Sequence, residues 1–216
     1  MLRKSLLLFA ATLLGACAAQ PTATVVSSSG PGIRSAQQEP VDGPKPRIAV
    51  SAFEFRGERK VGEGMADMLT AALFNSNRFI VLERARIEDV KAEQDLAATG
   101  RFDVSTTAPT GQLEGAELLI RGTVVQFEPD CAGGSVLLAS TRQACMAINL
   151  RIIDVRTGRV VNATTVEGTS RNTGVGFTYA LSDLPIGLGA YRNTPMEQAI
   201  RNCIETAVQH IAATKM

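Results

Sequence analysis

Four cysteines and one histidine are the side chains with most chemical potential in this chain of 216 residues. Cys17 closes the run Leu14-Gly15-Ala16-Cys17, which resembles the bacterial lipobox: cleavage there exposes the cysteine as a new first residue for acylation. Cys131 and Cys145 lie near the two ends of one segment, where an oxidising compartment favours a cross-strand disulfide; two inert small side chains are the other reading. Cys203 falls in an apolar helical stripe, the setting of a buried thiol rather than a nucleophile. A lone His210 cannot build a multi-histidine metal site, and no Cys-x-x-Cys pair is present, so neither metal nor cofactor is expected. The carboxylates Glu83 and Asp89 have no base, metal partner or phosphate loop beside them, and Arg84 and Glu88 are spaced as a solvated helix pair. No catalytic residue is expected, and the chain is not read as an enzyme.

Charge points the same way. Twenty-two basic side chains oppose 21 acidic ones, a net charge of +1, with no basic stripe, so nucleic acid is not an expected partner. Residues 1–16 carry Arg3 and Lys4, then an apolar run, then small residues, which is a secretory signal too short to span a membrane. Acyl chains on Cys17 would add about 0.8 kcal/mol of membrane attachment per buried methylene. Ala18 follows the cysteine where an aspartate tends to retain enteric lipoproteins in the inner membrane, so the outer membrane is expected, with the folded domain facing the periplasm. Residues 17–46, rich in Ser, Thr, Gly, Pro, Ala and Gln, fit a flexible tether.

The folded part is expected over 47–216. Residues 47–55 form a strand in which Ile48, Val50 and Ala52 oppose Ala49, Ser51, Phe53 and Phe55. Residues 62–77 form a helix with Met65, Met68, Leu69, Ala72 and Leu73 on one face. A strand follows over 78–83, then a helix over 84–97 with Ile87, Val90 and Leu96 among charges. Gly100 stops that helix, residues 105–109 form a loop, and 113–116 form a short helical turn. Further strands cover 118–127, 147–155 and 160–167, the last two joined by a turn at Thr157-Gly158. Thr194-Pro195-Met196-Glu197 combines an N-cap, a first-turn proline and a capping-box glutamate. From there Met196, Ile200, Cys203, Ile204, Ala207, Val208 and Ile211 make one apolar stripe that must pack on a sheet. The expected fold class is α/β (α+β), a mixed sheet packed by about three helices.

Two insertions, 128–146 and 168–193, interrupt this domain. In the second, Val175, Phe177, Tyr179 and Leu181 alternate with small or polar residues, and Ile186 and Leu188 alternate with glycines after Asp183-Leu184-Pro185. Membrane barrel strands show this alternation over about 9 to 11 residues each, with Tyr179 and Tyr191 as interfacial aromatics; a half-buried soluble hairpin shows the same alternation. The first insertion holds the contiguous Val136-Leu137-Leu138 and begins beside Pro129, a weaker membrane pattern.

Several segments together resemble the curli production assembly/transport component (CsgG) family and its holdfast-anchoring relatives. They are the lipobox, residues 47–55, 78–84 and 119–125, the phrase Ala147-Ile-Asn149-Leu150-Arg151 with Val155 and Thr157-Gly158, and the helix phrase Ala199-Ile200 with Ile204-Glu205-Thr206-Ala207-Val208. The resemblance implies a homo-oligomeric ring of lipidated copies, each giving two β-hairpins to an outer-membrane barrel that passes unfolded fibre or adhesin subunits, aided by accessory periplasmic proteins. A lipid-anchored periplasmic scaffold that anchors a surface adhesin or holdfast, without a channel, is the alternative. The chain departs from the family's channel members at residues 56–63, which are short and charged where those members carry an aromatic- and asparagine-containing constriction loop, so no constriction residue is carried over. Both hairpin regions are also shorter.

The membrane reading of 168–193 predicts that Phe177→Asp abolishes membrane insertion, an acid at a lipid-facing site costing somewhat less than the about 2 to 4 kcal/mol of Arg or Lys at the midplane. Wild-type protection of residues 168–193 from added protease in that variant, a readout that the Cys17 lipid alone does not give, would place Phe177 off the lipid face.

Overall fold

The computed structural model describes residues 22–25, 43–136, 139–172 and 184–214. Its strands are β1 (Thr22–Val25), β2 (Arg47–Val50), β3 (Ile80–Leu82), β4 (Leu118–Val136), β5 (Ala139–Asp154) and β6 (Val160–Asn172). The helices are α1 (Arg59–Asn75), α2 (Ile87–Ala97) and α3 (Pro195–Ala213), with 3-10 turns at Val104–Thr106 and Ile186–Tyr191. The strands form one sheet in the order β1-β6-β5-β4-β2-β3. Because β2 runs parallel to both β3 and β4 while every other pair is antiparallel, the sheet is mixed, and with three helices the fold is α+β as the sequence pattern required. β1 lies within the segment expected as a tether and pairs with residues 166–169 of β6.

α1 and α3 touch each other and cover one face of the sheet. Ile120, Val124, Ile148, Leu150, Ile152 and Val166 supply the buried face beneath them. All seven stripe residues of α3 are buried, as are Met65, Leu69 and Leu73 of α1. The start of α3 is fixed by its cap: Thr194 accepts from the Glu197 amide, and the Glu197 carboxylate reaches back to the Asn193 amide at 2.6 Å. Close approach of α3 to β6 depends on Gly168, where a Cβ would overlap the Ala199 carbonyl oxygen and lie 2.9 Å from Cys203 Cβ.

The first strand is shorter than its hydrophobic pattern. It ends at Val50, and a single parallel bridge pairs Glu54 with Thr123. Between them Phe53 turns into the core over Gly122, where a Cβ would collide with the ring, while Ala52 is exposed. Ile48, Ala49 and Val50 are all buried, as in a central strand closed on both faces, so simple alternation does not apply. The expected helical turn at 113–116 is absent; those residues have no regular secondary structure, and the Gly115 carbonyl accepts from Arg47 Nε at 3.0 Å. Arg84 lies outside α2 and donates to the Glu83 and Glu114 carbonyls, while Glu88 pairs with Lys91, so the expected Arg84–Glu88 pair is not formed.

Gly168→Ala forces α3 off β6, and the expected loss is about 1 to 3 kcal/mol, the range for overpacking a tight core. Denaturant unfolding followed by circular dichroism measures it; an unchanged midpoint would contradict the close approach.

Candidate functional site at the hairpin end

β4 and β5 run well past the part of the sheet they share with β2. Their ladder continues from Leu118↔Asp154 to Val136↔Ala139, so the first insertion is a direct extension of the two strands as a hairpin. The ladder shifts register between Glu128 and Ala132, placing Pro129, Asp130 and Cys131 in a bulge opposite Ala144. Pro129 has no amide to give a ladder, which makes a bulge the compatible position for it. Cys131 and Cys145 are joined by a disulfide across this bulge, with Cα atoms 5.7 Å apart. β6 follows the same course, pairing Asn172 with Arg142, so the second insertion leaves the sheet beside the first and at the same end.

The root of this end is aromatic. Phe127 of β4 stacks between Phe55, from the β2–α1 connection, at 5.5 Å, and Tyr191, at 4.9 Å in edge-to-face geometry. The sequence showed these rings only as separate strand or interface residues, because the three positions are brought together by tertiary packing alone.

The second half of the second insertion departs from the expected membrane strand. Ile186–Tyr191 is a 3-10 helix, begun by the Leu188 amide bonding the Pro185 carbonyl at 2.8 Å. Leu188 is 0 % exposed and packs against α1 where Gly64 leaves room, so it is a core residue and not lipid-facing; Ile186 belongs to the same 3-10 helix and to no strand. Leu184 is buried too. Val175, Phe177, Tyr179 and Leu181 lie outside the described residues, as does Cys17.

Several titratable groups elsewhere are held by ordinary structural partners. Burial pushes the Cys203 thiol up, and its Sγ lies 3.5 Å from the Val166 carbonyl oxygen, which makes it unreactive as a nucleophile. Burial lowers the His210 pKa below its usual value, and its Nε2 lies 3.0 Å from Asn162 Oδ1. Desolvation raises the Asp67 pKa against the opposing pull of Arg86, its ion-pair partner. Glu83 accepts from the Arg86 amide at 2.9 Å. Among the described residues no three His, Cys, Asp or Glu side chains converge as a metal site. An open cleft of ≈ 480 Å³ beside β3 is lined by Lys45, Phe74, Asn75, Asn77, Phe79, Ile80 and Val81, and holds no carboxylate, histidine or cysteine.

Protein purified without reductant is expected to show no reaction of Cys131 or Cys145 with a thiol reagent after denaturation, while Cys203 reacts. Labelling of both would refute the bridge. Reducing it opens a loop of 14 residues' separation, with an expected cost of about 3 kcal/mol.

The curli production assembly/transport component CsgG of Escherichia coli is 25 % identical over 121 residues, which is 50 % of this chain and 44 % of that protein. The chain thus spans under half the length of the curated relatives it matches. Among solved structures, a hypothetical protein from Chlamydia trachomatis aligns with a TM-score of 0.48 at 12 % identity, covering 78 % of this chain and 96 % of that one. The PelC dodecamer from Paraburkholderia phytofirmans aligns with a TM-score of 0.41 at 14 % identity, covering 90 % and 100 %. The family described as curli production assembly/transport component CsgG matches residues 32–216, and the chain belongs to that family.

Proposed function

We propose that this protein is an outer-membrane lipoprotein of the curli secretion type, anchored through Cys17, whose copies assemble into a ring that passes unfolded amyloid or adhesin subunits. The observation that carries the reading is the common exit of both insertions. β4, β5 and β6 continue past the α/β body side by side, so each copy offers its two insertions to one surface, the arrangement a shared barrel needs. The disulfide and the Phe55–Phe127–Tyr191 cluster brace the root of that surface. A signal peptide over 1–16, a lipid on Cys17 and a tether over 17–46 that is interrupted by β1 are part of the same proposal. Transport of this kind requires no catalytic group, because an unfolded chain moves through a wide passage down its own concentration and entropy gradients.

A second reading is favoured by one specific observation. Leu184 and Leu188 are back in the core, so only residues 173–183 separate the end of β6 from the returning chain. A strand needs about 9 to 11 residues to cross a bilayer. This short excursion suits a lipid-anchored periplasmic scaffold that holds a surface adhesin or holdfast without a pore.

The two readings separate on full-length protein extracted from outer membranes in mild detergent. The channel reading expects a high-mass assembly that gives discrete conductance steps in planar bilayers. An assembly of that mass with no conductance supports the scaffold; a monomer without conductance contradicts the channel.

A further inference from the structure

α2 is the one described α-helix with no buried residue, and no described strand or other helix packs against it. Eleven residues are too few for a stable isolated helix in water, where about 12 to 15 are marginal even for favourable sequences. Its outward face reads Asp89, Ala92, Glu93 and Leu96, the i, i+3, i+4, i+7 positions of one helical side. Asp89 and Glu93 have no basic partner among the described residues, and Leu96 is 43 % exposed.

The complement stands at the other edge of the sheet. β1 pairs only with residues 166–169 of β6 and leaves the Val160 end of that strand as a free edge among the described residues. There Val155, Val160 and Val161 are about half exposed, at 50 %, 53 % and 48 %. Arg159, just before β6, and Arg151, one strand in on β5 opposite Ala163, are exposed and make no ion pair with a carboxylate among the described residues. An acidic, apolar helix thus leaves one edge of the sheet and a basic, apolar patch lies at the opposite edge, on a chain whose net charge is only +1.

We infer that the Asp89–Glu93–Leu96 face of α2 docks on the Arg151–Arg159–Val161 patch, at the Val160 end of the β5–β6 pair, of a second copy of this chain. The contact joins different surfaces of the two copies, the head-to-tail type that closes into a ring when its rotation permits. It deepens the assembly proposed above and rests on that reading. Burial of α2 against the neighbour supplies the packing that it lacks in one copy.

Charge exchange on the full-length lipoprotein in detergent tests it, with assembly mass read by light scattering across a dilution series. Asp89→Lys with Glu93→Lys, or Arg151→Glu with Arg159→Glu, is expected to weaken assembly by at least about tenfold through like-charge contact. The four changes combined restore it. Circular dichroism melts verify folding, and the milder pair Asp89→Asn with Glu93→Gln is expected to give a smaller loss with reduced salt sensitivity. A wild-type monomer overturns both the ring and this interface. A wild-type assembly that neither charge-reversed pair weakens overturns this interface and leaves the ring standing, and loss without restoration in the combined variant overturns the pairing of the two surfaces.

Discussion

The contact of α3 with the β5–β6 ladder at Gly168 is what the rest of the molecule depends on. A glycine there lets a helix carbonyl come down onto the strand, and the stripe from Met196 to Ile211 then covers Ile148, Leu150 and Val166 in one layer. The helix cannot start earlier, since Thr194 and Glu197 cap it and Asn193 takes a left-handed conformation at φ 59°. This fixed start determines where the chain arriving from the second insertion must come in. The 3-10 helix Ile186–Tyr191 fills that approach, setting Leu188 against Gly64 of α1 and Tyr191 against Phe127. Three remote parts of the chain are therefore locked at one place.

That lock produces an asymmetric molecule. One end of the sheet is closed by the Asp154–Thr157 turn, in which Asp154 accepts from the Thr157 amide and hydroxyl and these bonds hold its carboxyl below the usual range. At the other end β4, β5 and β6 continue outward, braced by the Cys131–Cys145 bridge across the Pro129 bulge. A platform with projecting strands at one end is physically suited to the membrane role proposed above. The shortness of the second excursion limits how far its strands can reach across a bilayer, and it is where the channel and scaffold readings diverge.

Much of this was legible from residue patterns where burial follows a single period. α3 was explicit because its cap residues and stripe agree, and the mixed sheet followed from the element order. Legibility failed where a local pattern has two tertiary solutions. Ile186-Gly-Leu188-Gly alternates as a membrane strand does, and only Gly64, more than a hundred residues away in sequence, reveals that Leu188 is a core side chain. Phe53 similarly belongs to an alternating run, yet the absence of a side chain at Gly122 draws it inward and ends the strand at Val50. The aromatic root was invisible for the same reason, since Phe55, Phe127 and Tyr191 share no sequence spacing. Cys131 and Cys145 were readable as a candidate pair, whereas the bulge that brings them opposite each other depends on a register that spacing does not encode.

In the proposed function this platform presents its projecting strands to a membrane in a closed assembly of identical copies. Electron cryomicroscopy of the full-length protein reconstituted in lipid nanodiscs addresses it directly. The expected image is a symmetric ring with the β4–β5–β6 end of every copy embedded in the bilayer and the α1–α3 layer outside it. Single copies lying beside the disc, tethered only through the N-terminus with that end free in solvent, would contradict the account.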